Sequence, residues 1–280
     1  MKNNLKMLGL TLCMLTYLNA ETQQAQRRAY QPAQEHNTQA AEVIPAGTII
    51  PLRLNSTVRS DKGGSGEAIT ATVMQDVPLA TGETLFAGSK VTGHIVEAIT
   101  PGKGSNELKI SFQFDQVRLG SQTIRITTNL RAVASRSAVL AATPLPASPD
   151  YADDHVQIGG DQISYGSDGP VMVGSQVAGQ YTNQGVLATV GQGLETRCGG
   201  DTNAHPQALW LFSVNACGAY GLGDLTILRS GRTELLGEVT LTSNGKAVKV
   251  DKGSAMLLRV ENSSPEEAQA RTTPSRGTGQ

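Results

Sequence analysis

Ile44–Leu54 reads IPAGTIIPLRL, and the same phrase returns near the other end of the chain as VDKGSAMLLRV, Val250–Val260. A shorter version, LFAGSKVTGHI, occupies Leu85–Ile95. In each copy a glycine is followed by a hydroxyl residue and then by alternating or continuous aliphatics. Gly47, Gly88 and Gly253 are expected to supply a positive φ in a tight turn, which costs a glycine nothing sterically. Thr48, Ser89 and Ser254 are placed to satisfy a backbone group of that turn before a β-strand departs. Two histories fit the repetition: duplication of a turn-and-strand unit, or convergence on the short alphabet that strands and turns share.

Working outward from the first copy, Leu108, Ile110, Phe112 and Phe114 alternate with Lys109, Ser111, Gln113 and Asp115. This is the period of a strand with one face buried and one wet. Ile124 and Ile126 alternate with Thr123, Arg125 and Thr127 in the same way. About six short strands in some ninety residues predict a small β-barrel or sandwich over 43–134. A stretch with Pro144, Pro146 and Pro149 reads as a Pro-rich linker over 135–154. A second, Gly-rich β region is expected over 155–262. It opens with nine glycines between Gly159 and Gly193, which favours loops and short edge strands. DLTILRS, ELLGEVTLTS and SAMLLRV are its clearest strands, and the Trp210, Leu211 and Phe212 cluster its expected core anchor.

The flanks have a different character. Residues 1–20 carry Lys2 and Lys6, then an apolar run from Met7 to Leu18, then Asn19-Ala20. That run is far short of the ~20 residues a membrane-spanning helix needs, so it reads as a secretory signal peptide, cleaved after Ala20. A lipid-anchored start at Cys13 is the alternative, disfavoured by Leu10-Thr11-Leu12, which lacks the small residue expected at such a cut. Residues 21–42 hold six glutamines and almost no large aliphatics, and 263–280 are similar in kind; both read as disordered, a tether and a tail. The expected location is periplasmic or extracellular, with possible outer-membrane association and no transmembrane span after signal cleavage.

With the leader removed, the remaining cysteines are Cys198 and Cys217. In an oxidising compartment a lone pair is most simply a disulfide. Closing a loop of about 20 residues, it would contribute roughly 3 kcal/mol in the chain-entropy view. Zinc binding with His205 lacks both a CxxC spacing and a fourth ligand.

Lys plus Arg total 23 against 24 for Asp plus Glu, so no global field attracts nucleic acid. Aromatics at 4% leave little for a sugar-stacking platform. The one local cluster with catalytic residue types is His205, Asp201 and Ser213, around which no Gly-x-Ser-x-Gly appears. It supports a competing reading, a hydrolase acting on envelope material. His36, His94 and His155 stand apart in a tether, a strand and a linker. Asp153, Asp154, Asp161 and Asp168 offer oxygen ligands without an EF-hand spacing, the basis of a third reading, a calcium-dependent adhesive module. No cofactor or resident metal is expected.

Taken together, IPAGTIIPLRLNSTVRSDKGGSGEAITATVMQDV, ETLFAGSKVTGHIVEA and LKISFQFDQV resemble the β-barrel domain of the TrbI-like family, the channel component of type IV secretion and conjugation machines. The resemblance spans about residues 44–118. It rests on Gly47, Thr48, Ile50, Pro51, Ser60, Asp61, Thr70, Ala71, Val73, Asp76, Val77, Gly88, Ser89 and Gly93. The same segments also resemble uncharacterised secreted bacterial β proteins. A channel component would add an N-terminal anchor, a long spacer and an apolar helical hairpin within the barrel. This chain has a leader instead, and no stretch after residue 20 of spanning length. The resemblance therefore implies a shared barrel and a non-enzymatic binding, scaffold or assembly role in the cell envelope. The partners it implies are other envelope proteins or further copies of this chain.

Overall fold

In the computed structural model the described residues are 43–100, 108–143, 154–155, 157–160, 163–164, 170–173, 175–189, 205–230, 237–244 and 247–265. The leader, the tether, Cys198, Asp201, Asp153, Asp161 and Asp168 lie outside them. The first eight strands are β1 (Ile49–Leu54), β2 (Val58–Arg59), β3 (Ala68–Val73), β4 (Val77–Pro78), β5 (Thr84–Leu85), β6 (Lys90–Ile99), β7 (Lys109–Leu119) and β8 (Gln122–Ala134). Helix α1 (Arg136–Ala142) follows, then β9 (Asp154–His155), β10 (Ile163–Ser164), β11 (Pro170–Val173), β12 (Gln176–Thr182), β13 (Gly185–Thr189) and β14 (Pro206–Trp210). The last five are β15 (Gly218–Tyr220), β16 (Leu225–Ser230), β17 (Glu238–Ser243), β18 (Lys249–Val250) and β19 (Ala255–Pro265).

The protein is mainly β, as its alternation and turns predict. Strands β1, β3, β6, β7, β8 and β19 pair antiparallel in that order, and β19 returns to β1, closing a six-stranded barrel. Its sixth strand thus comes from the stretch read as a second region, and everything from 135 to 254 is an excursion between the fifth and sixth strands. Phe112, Phe114, Ile69, Ile95, Ile110, Leu258 and Val260 fill the interior. The rings of Phe112 and Phe114 meet edge to face with centroids 5.9 Å apart.

The repeated phrase is the barrel's structural unit. Gly47, Gly88 and Gly253 have φ of 85°, 87° and 88°. Each is the third residue of a turn closed by its successor's N–H, from Thr48 to Pro45 O, Ser89 to Phe86 O and Ser254 to Asp251 O, at 3.0–3.1 Å. Positive φ at that position defines a type II turn. The Thr48 hydroxyl also donates to Pro45 O at 2.6 Å.

A fourth unit goes unnoticed in the sequence because Glu67, not a hydroxyl, follows its glycine. Gly66 has φ 85°, and Glu67 N–H closes onto Gly64 O at 3.1 Å. The four units join in two reciprocal pairs. Gly47 N–H donates to Val260 O and Gly253 N–H to Leu54 O, while Val260 N–H returns to Thr48 O and Leu54 N–H to Ser254 O, all at 2.7–2.9 Å. Gly66 and Gly88 repeat this arrangement through Ile95 and Val73. In every unit the strand residue seven after the glycine meets the partner's turn.

Helix α1 and strands β11, β13 and β14 of the excursion pack on the outside of the barrel. Ile49, Ala132, Ala134, Ala255 and Leu257 point outward from β1, β8 and β19, and form a second core with Val139, Val171, Val186, Leu209 and Phe212. This two-sided burial explains why IIPL and AMLL read as continuous apolar runs. Strands β11–β14 form a separate four-stranded sheet. Glutamine carbonyls tie it down: Gln75 Oε1 accepts from Trp210 N–H at 2.6 Å, Gln207 Oε1 from Ile49 N–H at 2.9 Å and Gln184 Oε1 from Asp76 N–H at 2.8 Å. Close strand approach accounts for Gly179, where a Cβ would lie 2.2 Å from Leu187 O. Phe212 is fully buried, whereas Trp210 is half-buried in a left-handed conformation, so the anchor of the expected aromatic cluster is Phe212.

Two boundaries differ from the sequence reading. Inside the stretch read as linker, Arg136–Ala142 are helical because Ser135 Oγ caps Ala138 N–H at 3.1 Å and Val139 and Ala142 reach the second core. Inside the stretch read as tail, Ser263–Pro265 extend β19, since Ser263 Oγ both accepts from Ile44 N–H at 2.8 Å and donates to Ile44 O at 2.7 Å.

Candidate binding cleft at the fork of the barrel wall

The period-2 pattern of β7 breaks where Asp115 and Gln116, two polar residues in succession, precede Val117. The structure places a β-bulge there: Phe114 pairs with Gly93 and Gln116 with Thr92, leaving Asp115 as the extra residue. A bulge bends its strand and sharpens the twist. At this bend β7 changes neighbours. It pairs with β8 through Gln116–Leu119 and with β17 through Lys109–Gln113. The β7–β8 hairpin therefore opens like a fork, and β15, β16 and β17 occupy the opening, with Leu222, Leu225 and Ile227 against the barrel core.

At the crotch, Phe114 and Asp115 on one wall face Ile126 and Thr127 on the other without ladder partners in each other. A cavity of about 350 Å³ lies here. Gln113, Arg125, Gly237, Asn262 and Ser264 complete most of its lining. Gly237, with φ 87°, lets the chain enter β17 tightly against Thr127, whose Cγ2 would be 2.9 Å from an added Cβ. Asn262, Ser263 and Ser264 of β19 form a further wall, Ser263 being tied through its Oγ to Ile44.

The bulge also sets the polar chemistry. Asp115 Oδ2 lies 2.8 Å from His94 Nδ1, and Gln113 Nε2 lies 3.3 Å from His94 Nε2. A carboxylate accepts and an amide nitrogen donates, so both contacts are satisfied by an imidazole protonated on Nδ1. Side-chain exposures of 36% for His94 and 37% for Asp115 leave the pair solvent-screened, and its part is to orient the carboxylate beside the cleft. Farther along the same face Lys109 and Glu97 pair at 2.5 Å. Residues with carboxylate, guanidinium, amide and hydroxyl side chains thus line one small opening. Reading residue types by motif overlooks these groups; the doubled polar pair in β7 is the signal that marks them.

The sequence candidates are distributed differently. His205 is exposed just ahead of β14, while Ser213 lies past the other end of that strand, with its Oγ buried and without a hydrogen bond among the described residues. These two are not brought together, and Asp201 lies outside the described residues. Gly47, Thr48, Gly88, Ser89, Gly253 and Ser254 all sit in barrel turns, away from the fork. Cys217 is half-buried beside Tyr220, whose hydroxyl accepts from Cys217 N–H at 2.7 Å and donates to Cys217 O at 2.8 Å. Buried Arg131 of β8 fixes the preceding loop, donating to Ala216 O at 3.0 Å and Val214 O at 2.6 Å. The expected disulfide partner of Cys217, Cys198, lies outside the described residues.

Of the residues on which the expected TrbI-like resemblance rests, Ser60 ties β2 to the start of β18, donating its N–H to Val248 O at 2.9 Å and accepting from Val248 N–H on Oγ at 3.0 Å. Asp61 pairs with Arg59 at 2.6 Å; that hydrogen bond holds the carboxyl below the ordinary aspartate range and raises the guanidinium. Among the described residues, no three His, Cys, Asp or Glu side chains gather as a metal site, and no helix is long and apolar enough to cross a membrane. Comparison with protein-family models, curated proteins and solved structures found no match to this chain.

Proposed function

We propose that the protein is an exported component of the cell envelope that works by binding, as a scaffold or assembly module on a barrel of the TrbI-like kind. The observation that carries this reading is the polar cleft at the fork: a closed, doubly packed barrel supplies a rigid frame, and a bulge opens one built recess in its wall. The leader-like residues 1–20 support export, and the Cys198–Cys217 bridge belongs to the same reading. Its partners are other envelope proteins or further copies of the chain.

The test is affinity capture from envelope extract with the mature chain, residues 21–280, beside Asn262→Trp, which narrows the cleft from an exposed position. Specific envelope proteins, or the chain itself, are expected on the wild type and reduced at least about tenfold on the variant, the loss of one good polar contact. Equal capture by both would remove the cleft from the function, and no capture together with a monomer in sedimentation would remove the assembly role. Export and the bridge are checked on the same secreted sample. Its N-terminus is expected at Glu21, and neither Cys198 nor Cys217 should alkylate before reduction; ready alkylation of both in the exported, folded chain would rule the bridge out.

A further inference from the structure

We propose that the outer face of β1, β3, β6, β7 and β8 binds a linear acidic polysaccharide laid across the strands. This goes beyond the fork cleft and does not depend on it. The second core covers Ile49, Ala132, Ala134, Ala255 and Leu257 and leaves this part of the barrel wall open. The register arranges its side chains in two rows. In the first, Arg53 pairs with Thr72, Thr72 with Lys90, and Arg118 with Thr123. One residue beyond the Val91–Val117 pair, Lys90 and Arg118 come opposite each other and complete that row. Thr70, Thr92, Gln116 and Arg125 form the second row in the same way. Neither row contains a carboxylate. Asp115, in the bulge beside the second row, is engaged by His94 at 2.8 Å.

Charge, spacing and the floor of the face all point to a polyanion. Arg53, Lys90 and Arg118 are exposed, and none has a carboxylate partner among the described residues. Arg118 Nε donates only to Gly120 O, at 3.3 Å. Lys90 and Arg118 are like charges at directly opposed positions, which costs the sheet stability until an anion lies between them. Neighbouring strands are about 4.8 Å apart, so the three cations spread over about 14 Å, too far for one small anion and matched to a chain of repeating charge. Cross-strand hydrogen bonds hold the floor between them: Asn55 Nδ2 donates to Thr72 Oγ1 at 2.9 Å, and Thr92 Oγ1 to Gln116 Oε1 at 3.3 Å. Such hydroxyls and amides complement the hydroxyls of a sugar. Neither row has an aromatic or large apolar side chain, so the stacking that holds single-stranded nucleic acid and the anchor that enters a lipid surface are both missing from it.

Biolayer interferometry of the mature chain on immobilised polygalacturonate tests this, beside dextran, oligothymidylate and phosphatidylglycerol vesicles. Binding to polygalacturonate is expected at low ionic strength, weakening as salt is raised, with none to dextran. Combining Arg53→Gln, Lys90→Gln and Arg118→Gln should weaken it at least about tenfold, the sum of three exposed charge contacts, without lowering the melting temperature. Removing the same charge at other exposed positions, by Lys62→Gln, Arg136→Gln and Lys252→Gln, should leave the affinity nearly unchanged. No binding to polygalacturonate, equal losses in the two triple variants, or tighter binding to oligothymidylate or the vesicles would each overturn the proposal. Capture by Asn262→Trp reports on the cleft alone, so this proposal and the wider functional reading fail separately.

Discussion

A chain ending at Ser254 is expected to lose its cooperative fold altogether. It lacks β19, which lies between β8 and β1 and makes the barrel a closed structure. Met256, Leu258 and Val260 leave the interior, and Ala255 and Leu257 leave the second core. Burying one large aliphatic side chain is worth roughly 1.5–3 kcal/mol, so removing the four larger ones approaches the whole 5–15 kcal/mol stability of a typical domain. The truncation also bares the facing edges of β1 and β8, an invitation to aggregation. A chain ending at Ala134, the boundary suggested by composition, carries the same defect. Circular dichroism melts and size exclusion of the shortened chains, beside the mature protein, are the measurements. A single cooperative transition within a few degrees of the full-length one would mean that five strands suffice and that the closure described here is dispensable.

Gly93→Ala is expected to cost about 4 kcal/mol, at the top of the range for single substitutions. A Cβ on Gly93 would sit 1.9 Å from Gln113 O and 2.8 Å from Gln113 C and Phe114 Cα. All three are backbone atoms, so no side chain can swing aside, and relief requires β6 and β7 to part at the bulge that opens the cleft. Gly88→Ala supplies the contrast. Nothing lies within 4 Å of the added carbon, and the cost is the left-handed φ of 87° alone, roughly 1–2 kcal/mol. Urea unfolding of both variants separates the two mechanisms. Equal losses would show that backbone crowding at Gly93 relaxes more easily than its geometry implies, and the bulge would not be the fixed hinge of the fork.

Much of this architecture was written locally. A glycine needing positive φ, a turn closed by the next residue and a strand of alternating burial are properties of a few consecutive residues, so IPAGTIIPLRL and VDKGSAMLLRV disclosed the barrel's repeating unit without any partner in view. The alternation of Leu108–Asp115 likewise declared a strand with one buried face. The leader expected over residues 1–20 belongs to the same class, resting on consecutive residues alone.

What the tertiary structure decided is which strand meets which. Nothing in VDKGSAMLLRV states that it closes onto IPAGTIIPLRL, because antiparallel pairing between strands so distant in sequence depends on fit across the whole barrel rather than on local propensity. The two-sided burial of Ile49 and Leu257 arises only when the excursion folds over the barrel. The cleft is a tertiary product as well. Asp115 and Arg125 are ordinary polar residues on two successive strands until the bulge at Asp115 bends β7 away from β8 and turns their shared gap into a cavity.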